Sequence, residues 1–165
     1  MKKEHLIIVA IILSFLSYKF FFAGSEKEEI NKVITELKES VEYEFALAPL
    51  DILSRLKKIN SLLDKNFAAA YESEQRSASS KNISEIKNYA AIGAKLFSSI
   101  DIMKTPSLIS LSGKSASASF HITISGEDKH GTDFRELFAI EMDFLKSNGE
   151  WKCSKIFAKR QTPED

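Results

Sequence analysis

The sequence predicts an α+β domain, with three N-terminal helices on an antiparallel sheet, preceded by a transmembrane helix. Three observations carry this expectation. Apolar residues recur at helical spacing up to about residue 100, they alternate at strand spacing after Pro106, and an uncharged apolar run opens the chain. With 165 residues, 44% hydrophobic and 28% charged, the chain suits one globular domain plus an appendage and excludes a multidomain enzyme or a disordered tail. Basic and acidic side chains balance at 23 each, which argues against a nucleic-acid partner. A single cysteine, Cys153, excludes an internal disulfide framework and a cysteine-rich zinc site.

The opening run is Leu6 to Leu16, behind a short leader containing Lys2 and Lys3. Apolar character continues past Lys19 to Phe20, Phe21, Phe22 and Ala23, giving 18 residues from Leu6, about the minimum for a helix crossing a hydrocarbon core. Lys19 can lay its stem in lipid and extend its ammonium to the headgroups. Ala23-Gly24-Ser25 is the one tolerable cleavage site, but a lysine just beyond the apolar run fits an uncleaved anchor better. Lys2 and Lys3 hold the N-terminus inside, so residues 6–23 are expected to span the cytoplasmic membrane once, with the domain on the periplasmic side. The expected organisation is an anchor over 1–25, a linking amphipathic helix over 26–48, the domain over 49–160 and a tail over 161–165. Beyond residue 25 the charge is −2, without long like-charge blocks.

Ser25 and Glu28 read as a capping box opening the first helix. Its stripe is Ile30, Val33, Ile34, Leu37, Val41 and Phe45, ending near Ala48-Pro49. Pro49 can open a second helix with the stripe Ile52, Leu53, Leu56, Ile59, Leu63 and Phe67. Residues 72–81, rich in serine, read as a loop. Asn82 caps a third helix whose stripe runs from Ile86 through Tyr89, Ile92, Gly93, Leu96 and Phe97 to Ile100.

Leu108 to Leu111 reads as a short strand. Ala116, Ala118, Phe120, Ile122 and Ile124 then alternate with Ser117, Ser119, His121, Thr123 and Ser125, a half-buried strand. After a loop over 126–133, Phe134, Phe138, Ile140, Met142 and Phe144 share one face of the next strand. Asn148-Gly149 makes a two-residue turn setting Ser147 opposite Glu150. Continued without interruption, that register sets Phe144 against Cys153, Met142 against Lys155 and Ile140 against Phe157. Matching apolar faces across the preceding pair sets Phe120 near Phe138 and Ala118 near Ile140.

This element order and the terminal hairpin, with Gly149, Trp151 and Ile156, resemble the nuclear transport factor 2-like superfamily over about residues 50–160. The resemblance implies a cone formed by a curved sheet wrapped around helices. With the N-terminal anchor, the chain looks like small exported members, including the periplasmic scaffold domains of type IV secretion systems. Enzymatic members, such as ketosteroid isomerase and SnoaL-like cyclases, place an acid or base inside the cone. That implies a candidate pocket of Glu136 and Lys155 on the face of Phe120, with Met142 beside Lys155 and with Tyr71 and Tyr89 from the helices. A lysine so enclosed would have a lowered pKa or hold an anion; at a rim it would simply snorkel.

The residues themselves carry little further chemistry. His121 lies on the opposite face, without a second ligand, so no metal or other cofactor is expected. Glu141 and Asp143 on that face read as solvated carboxylates, His130 as a loop residue, and Cys153 as core. Ala116 and Ala118 would either leave a ligand cavity or admit a close-packed helix, for which Gly93 offers a flat face. Ser117, Ser119, His121 and Thr123 form a lightly polar face suited to pairing with a partner protein or a second copy. The expected function is therefore a membrane-anchored, non-enzymatic binding or scaffold domain with no catalytic residue assigned. The alternatives are a small-molecule binder or isomerase-like enzyme using the cone, and a subunit of an envelope secretion assembly.

Overall fold

The computed structural model describes residues 24–162 apart from 75 and 81, so all but the last two residues of the expected anchor, and most of the tail, lie outside the described residues. No helix among the described residues is long and apolar enough to cross a membrane. The first helix, α1, covers residues 24–41, so Ser25, expected as its cap, already lies within it. Its stripe turns inward, leaving Ile30 and Ile34 at 0% and 3% exposure. The segment expected to link anchor and domain thus contributes to the core itself. α1 stops short of Pro49 because Tyr43 exchanges both backbone hydrogen bonds with Ile100, at 2.9 and 2.8 Å, drawing the chain into an extended bridge. Phe45, left beyond the helix end, is 80% exposed rather than part of the stripe.

Pro49 occupies the first turn of α2, Pro49–Leu62. This helix ends before Leu63 and Phe67, which belong to β1, Leu63–Glu72. A spacing of four places residues on one face at either period, so the stripe could not locate the change from helix to strand. Parallel pairing of β1 with the C-terminal strand β7, Glu150–Gln161, supplies the tertiary hydrogen bonds that settle it. Residues expected as a loop contain β2, Ser77–Ser80, which closes antiparallel onto β1. The third helix, α3, spans Ile83–Leu96, with the Asn82 side chain accepting from the Ser84 amide at 2.9 Å. It too ends early: Phe97 and Ile100 belong to β3, Phe97–Lys104.

The remaining strands are β4 (Leu108–Ser112), β5 (Ser115–Asp128) and β6 (Asp133–Ser147). The seven strands form one sheet in the order β2-β1-β7-β6-β5-β3, with β4 also paired to β5. The sheet is therefore mixed, since β1 and β7 are parallel where an antiparallel sheet was expected. Phe120 pairs with Ile140 and Ile122 with Phe138, two residues from the expected register. An even displacement keeps every side chain on its expected face. The turn between the paired Glu127 and Asp133 is centred on His130, and that centre sets the observed register.

The hairpin begins as expected, with Asn148 and Gly149 at φ 52° and 84°, Ser147 opposite Glu150, and Phe144 opposite Cys153. A β-bulge at Ser154 then moves the register by one. Met142 meets Ile156, not Lys155, and Ile140 meets Ala158, not Phe157. The Ser154 hydroxyl donates to the Asp143 carbonyl at 3.1 Å, holding the bulge.

Beneath the helices one cluster joins Ile30 and Ile34 to Phe67, Ala116, Ala118, Phe120, Phe144, Trp151 and Cys153. Ala116 and Ala118 are buried in that packing, at 6% and 3% exposure. Gly93 is not the flat partner expected for them, since a Cβ added there would meet nothing within 4 Å. Lys146, at the hairpin end of β6, fixes the start of α1 through Glu26 at 2.8 Å and Glu29 at 3.7 Å.

Candidate functional site

The inner-face candidates do not converge. Phe120 and Met142 are core residues at 8% and 4% exposure. Lys155 pairs with Asp143 and is exposed on the outer face, because the bulge at Ser154 reverses its direction. The side chain of Tyr89 lies outside the described residues. Tyr71 is half-buried with its ring 6.3 Å from that of Phe138. Glu136 keeps the inner face but sits at the rim, where its carboxylate accepts from Arg160 at 3.1 Å.

Arg160 was not foreseen. The bulge that turns Lys155 outward brings Arg160 opposite Phe138, onto the inner face. Glu136 and Arg160 line a polar cavity of about 210 Å³ with Ser73, Glu74, Arg135 and Thr162. Thr162 donates to Glu74 at 3.0 Å, closing one side. Its volume is below the roughly 300–1,000 Å³ of ordinary small-molecule sites.

On the outer face the structure keeps Ser117, Ser119, His121 and Thr123 together, with Ser117 opposite Asp143 and Ser119 opposite Glu141. All but the half-buried Thr123 are exposed. Among the described residues no group of three or more His, Cys, Asp or Glu could hold a metal ion. Burial raises the Cys153 thiol to about 12, and the thiol donates to the Lys155 carbonyl at 3.4 Å. A thiol held protonated in this way is a poor nucleophile.

A second recess lies in the helical layer. The end of α1 and the segment after it border a groove of about 930 Å³, with β3 supplying Ile100 and Asp101. Behind it an apolar cavity of about 150 Å³ is lined by Val41, Ile52, Leu56, Ile59, Gly93 and Ile100. Groove and cavity share Tyr43, Leu47, Arg55 and Ile100. Arg55 donates to the Glu39 and Glu42 carbonyls at 3.0 and 2.6 Å, satisfying the open end of α1. Glu42 in turn accepts from Lys38 at 2.6 Å and from the Ile102 amide at 2.9 Å. Tyr43 is buried, which raises its phenol above the usual range, although the nearby Arg55 opposes the effect.

A curved sheet closed over a long N-terminal helix, with β1 and β2 appended beside the terminal hairpin, is the nuclear transport factor 2-like fold. No protein-family model matches the chain, and no curated protein matches it in sequence. Solved structures match it in shape. A nuclear transport factor 2-like protein from Salmonella enterica serovar Typhimurium superposes with a TM-score of 0.69 at 15% identity, over 87% of this chain and 96% of that one. A type 2 hexachlorocyclohexane dehydrochlorinase (LinA) gives 0.66 at 11% identity, over 84% and 86% of the two chains. A putative dehydratase of the same fold from Streptomyces avermitilis gives 0.65 at 15% identity, over 84% and 99%. At these identities the likeness defines the fold and leaves the chemistry open.

Proposed function

We propose that this chain is a membrane-tethered, extracytoplasmic binding domain that engages a protein partner or a second copy of itself, without catalysing a reaction. One observation carries the reading. The centre of the space between helices and sheet is occupied by the domain's own apolar side chains, with Ile30, Phe67 and Phe144 at 0–2% exposure. The tether is the apolar run over 6–23. Because Glu26 is held by Lys146, the described chain enters the domain beside the β6–β7 hairpin. α1 then spans roughly 27 Å at 1.5 Å per residue, so its far end would project away from the bilayer. The face of Ser117, Ser119 and His121, free of bulky side chains, suits sheet-to-sheet self-association.

The test is expression of the full-length chain, followed by carbonate extraction of membranes and measurement of intact mass. The reading expects a full-length mass retained in the membrane pellet, and loss of that retention in Leu13→Arg. A mass beginning near Glu26 in the soluble fraction would contradict the tether. A polar cavity holding Glu136 and Arg160 supports a second reading, binding or isomerisation of a small polar molecule, in line with the enzyme names among the structural neighbours. For that reading Glu136→Gln should abolish turnover while leaving stability unchanged.

A further inference from the structure

We infer that the groove at the end of α1 docks a peptide segment in which one large apolar side chain is flanked by lysine or arginine. The inference rests on the binding reading above and names the chemistry of the partner. It begins from size. The apolar cavity behind the groove, about 150 Å³, is too small for an ordinary ligand, but a dry apolar cavity of about 150 Å³ accepts one benzene-sized group. That is the volume of a single anchoring phenylalanine or leucine side chain. Its apolar walls offer such a group no competing hydrogen bond, and Gly93 leaves open space where another residue would intrude.

Charge chooses the flanking residues. The groove in front of the cavity carries Glu39, Glu42, Glu44, Asp51 and Asp101 against Lys38 and Arg55. Both cations are already engaged, Lys38 by the Glu42 carboxylate and Arg55 by the carbonyls ending α1. Glu39, Glu44, Asp51 and Asp101 form no ion pair among the described residues, and all four are exposed. An acidic rim around an apolar hole repels acidic segments and steers basic ones, which is selection by complementarity as well as attraction. Phe45, 80% exposed at the lip, adds a ring face for a lysine or arginine to cover. The recess lies among α1, α2 and α3 with Ile100 of β3 in its wall, and none of the core residues Ile30, Phe67 and Phe144 lines it.

The test is selection of a phage-displayed random dodecapeptide library on the full-length chain in a neutral detergent, with empty micelles as the control. The proposal expects sequences with one Phe or Leu between basic residues, bound more weakly as salt rises. Gly93→Leu fills the cavity and should reduce binding of the selected peptides about 30-fold, the loss typical of removing an anchoring side chain. If Gly93→Leu fails to fold, Glu44→Lys with Asp101→Lys, both on the surface, gives the same test through charge. Enrichment of acidic or purely apolar peptides, or no enrichment, overturns the proposal. Self-association through the sheet, measured on the same preparation, would survive that outcome, so the groove and the wider binding reading fail separately.

Discussion

Replacing Ile30 by alanine tests whether α1 is part of the domain or a spacer. Ile30 is fully buried in the cluster that also holds Phe144, Trp151 and Cys153. Isoleucine to alanine removes three carbons, worth about 2.4 kcal/mol at ~0.8 kcal/mol each. An unfilled volume of ~40–80 Å³ adds about 1–2 kcal/mol at ~24 cal/mol per Å³. Collapse into that space is resisted because Lys146 and the Tyr43–Ile100 bridge hold α1 at both ends. The expected loss is about 3–4 kcal/mol, a large share of the roughly 5–15 kcal/mol that stabilises a domain. Urea unfolding followed by the single tryptophan, Trp151, itself 3% exposed, reports on this cluster directly. For a slope near ~2 kcal/mol per molar, the midpoint should fall by about 1.5–2 M. Val41→Ala, near the exposed end of the same helix, should move it by less than about 0.3 M. An Ile30→Ala midpoint as little changed as that would refute the placement of α1 in the core.

The two faces of β5 separate in the same assay: Phe120→Ala should cost about 3–5 kcal/mol and exposed His121→Ala under about 0.5 kcal/mol. Equal losses would mean that the sheet faces are reversed. Cys153, its thiol raised to about 12 by burial, should resist a water-soluble disulfide reagent at pH 8 until urea unfolds the chain, and rapid native labelling would contradict its burial. Asp128 accepts from the Thr132 and His130 amides at 2.9 and 2.7 Å, which holds its carboxyl below the usual aspartate range. Its contribution is therefore complete above the unfolded pKa and is lost as pH falls through the lower, folded one. The stability gap between the native chain and Asp128→Asn should narrow from pH 5 to pH 2, and a constant gap would show that the carboxylate is not responsible.

The hydrophobic pattern made the strands legible where it was strict, and ambiguous where two periods agree. Alternation from Ala116 to Ile124 identified β5 and its buried face, because nothing but period two fits five such pairs. Leu63 with Phe67, and Leu96 with Ile100, are four apart, which fits a helix or a strand, so two helices seemed longer than they are. What ends them is pairing with distant strands, β7 for one and β5 for the other, and no local pattern encodes a partner. The bulge at Ser154 had the largest effect on the candidate site. One extra residue moved Lys155 out and brought Arg160 in beside Glu136, and a serine in a strand gives little warning of it. The groove was hidden for a related reason. Phe45 continued the α1 stripe and Gly93 seemed made for close packing, whereas the bridge at Tyr43 leaves Phe45 exposed and a Cβ at Gly93 would meet nothing within 4 Å.

The proposal at the centre of this account is that a partner binds at the exposed end of the helical layer, above a core to which α1 contributes Ile30 and Ile34. Photo-crosslinking in intact cells tests it most directly, with a photoreactive phenylalanine at position 45 of the full-length chain and, separately, at position 121. Binding in the groove predicts a protein adduct from position 45 whose linked peptide carries basic residues beside an apolar one, and its loss in Gly93→Leu. Adducts from position 121 alone, or position 45 adducts indifferent to Gly93→Leu, would contradict it.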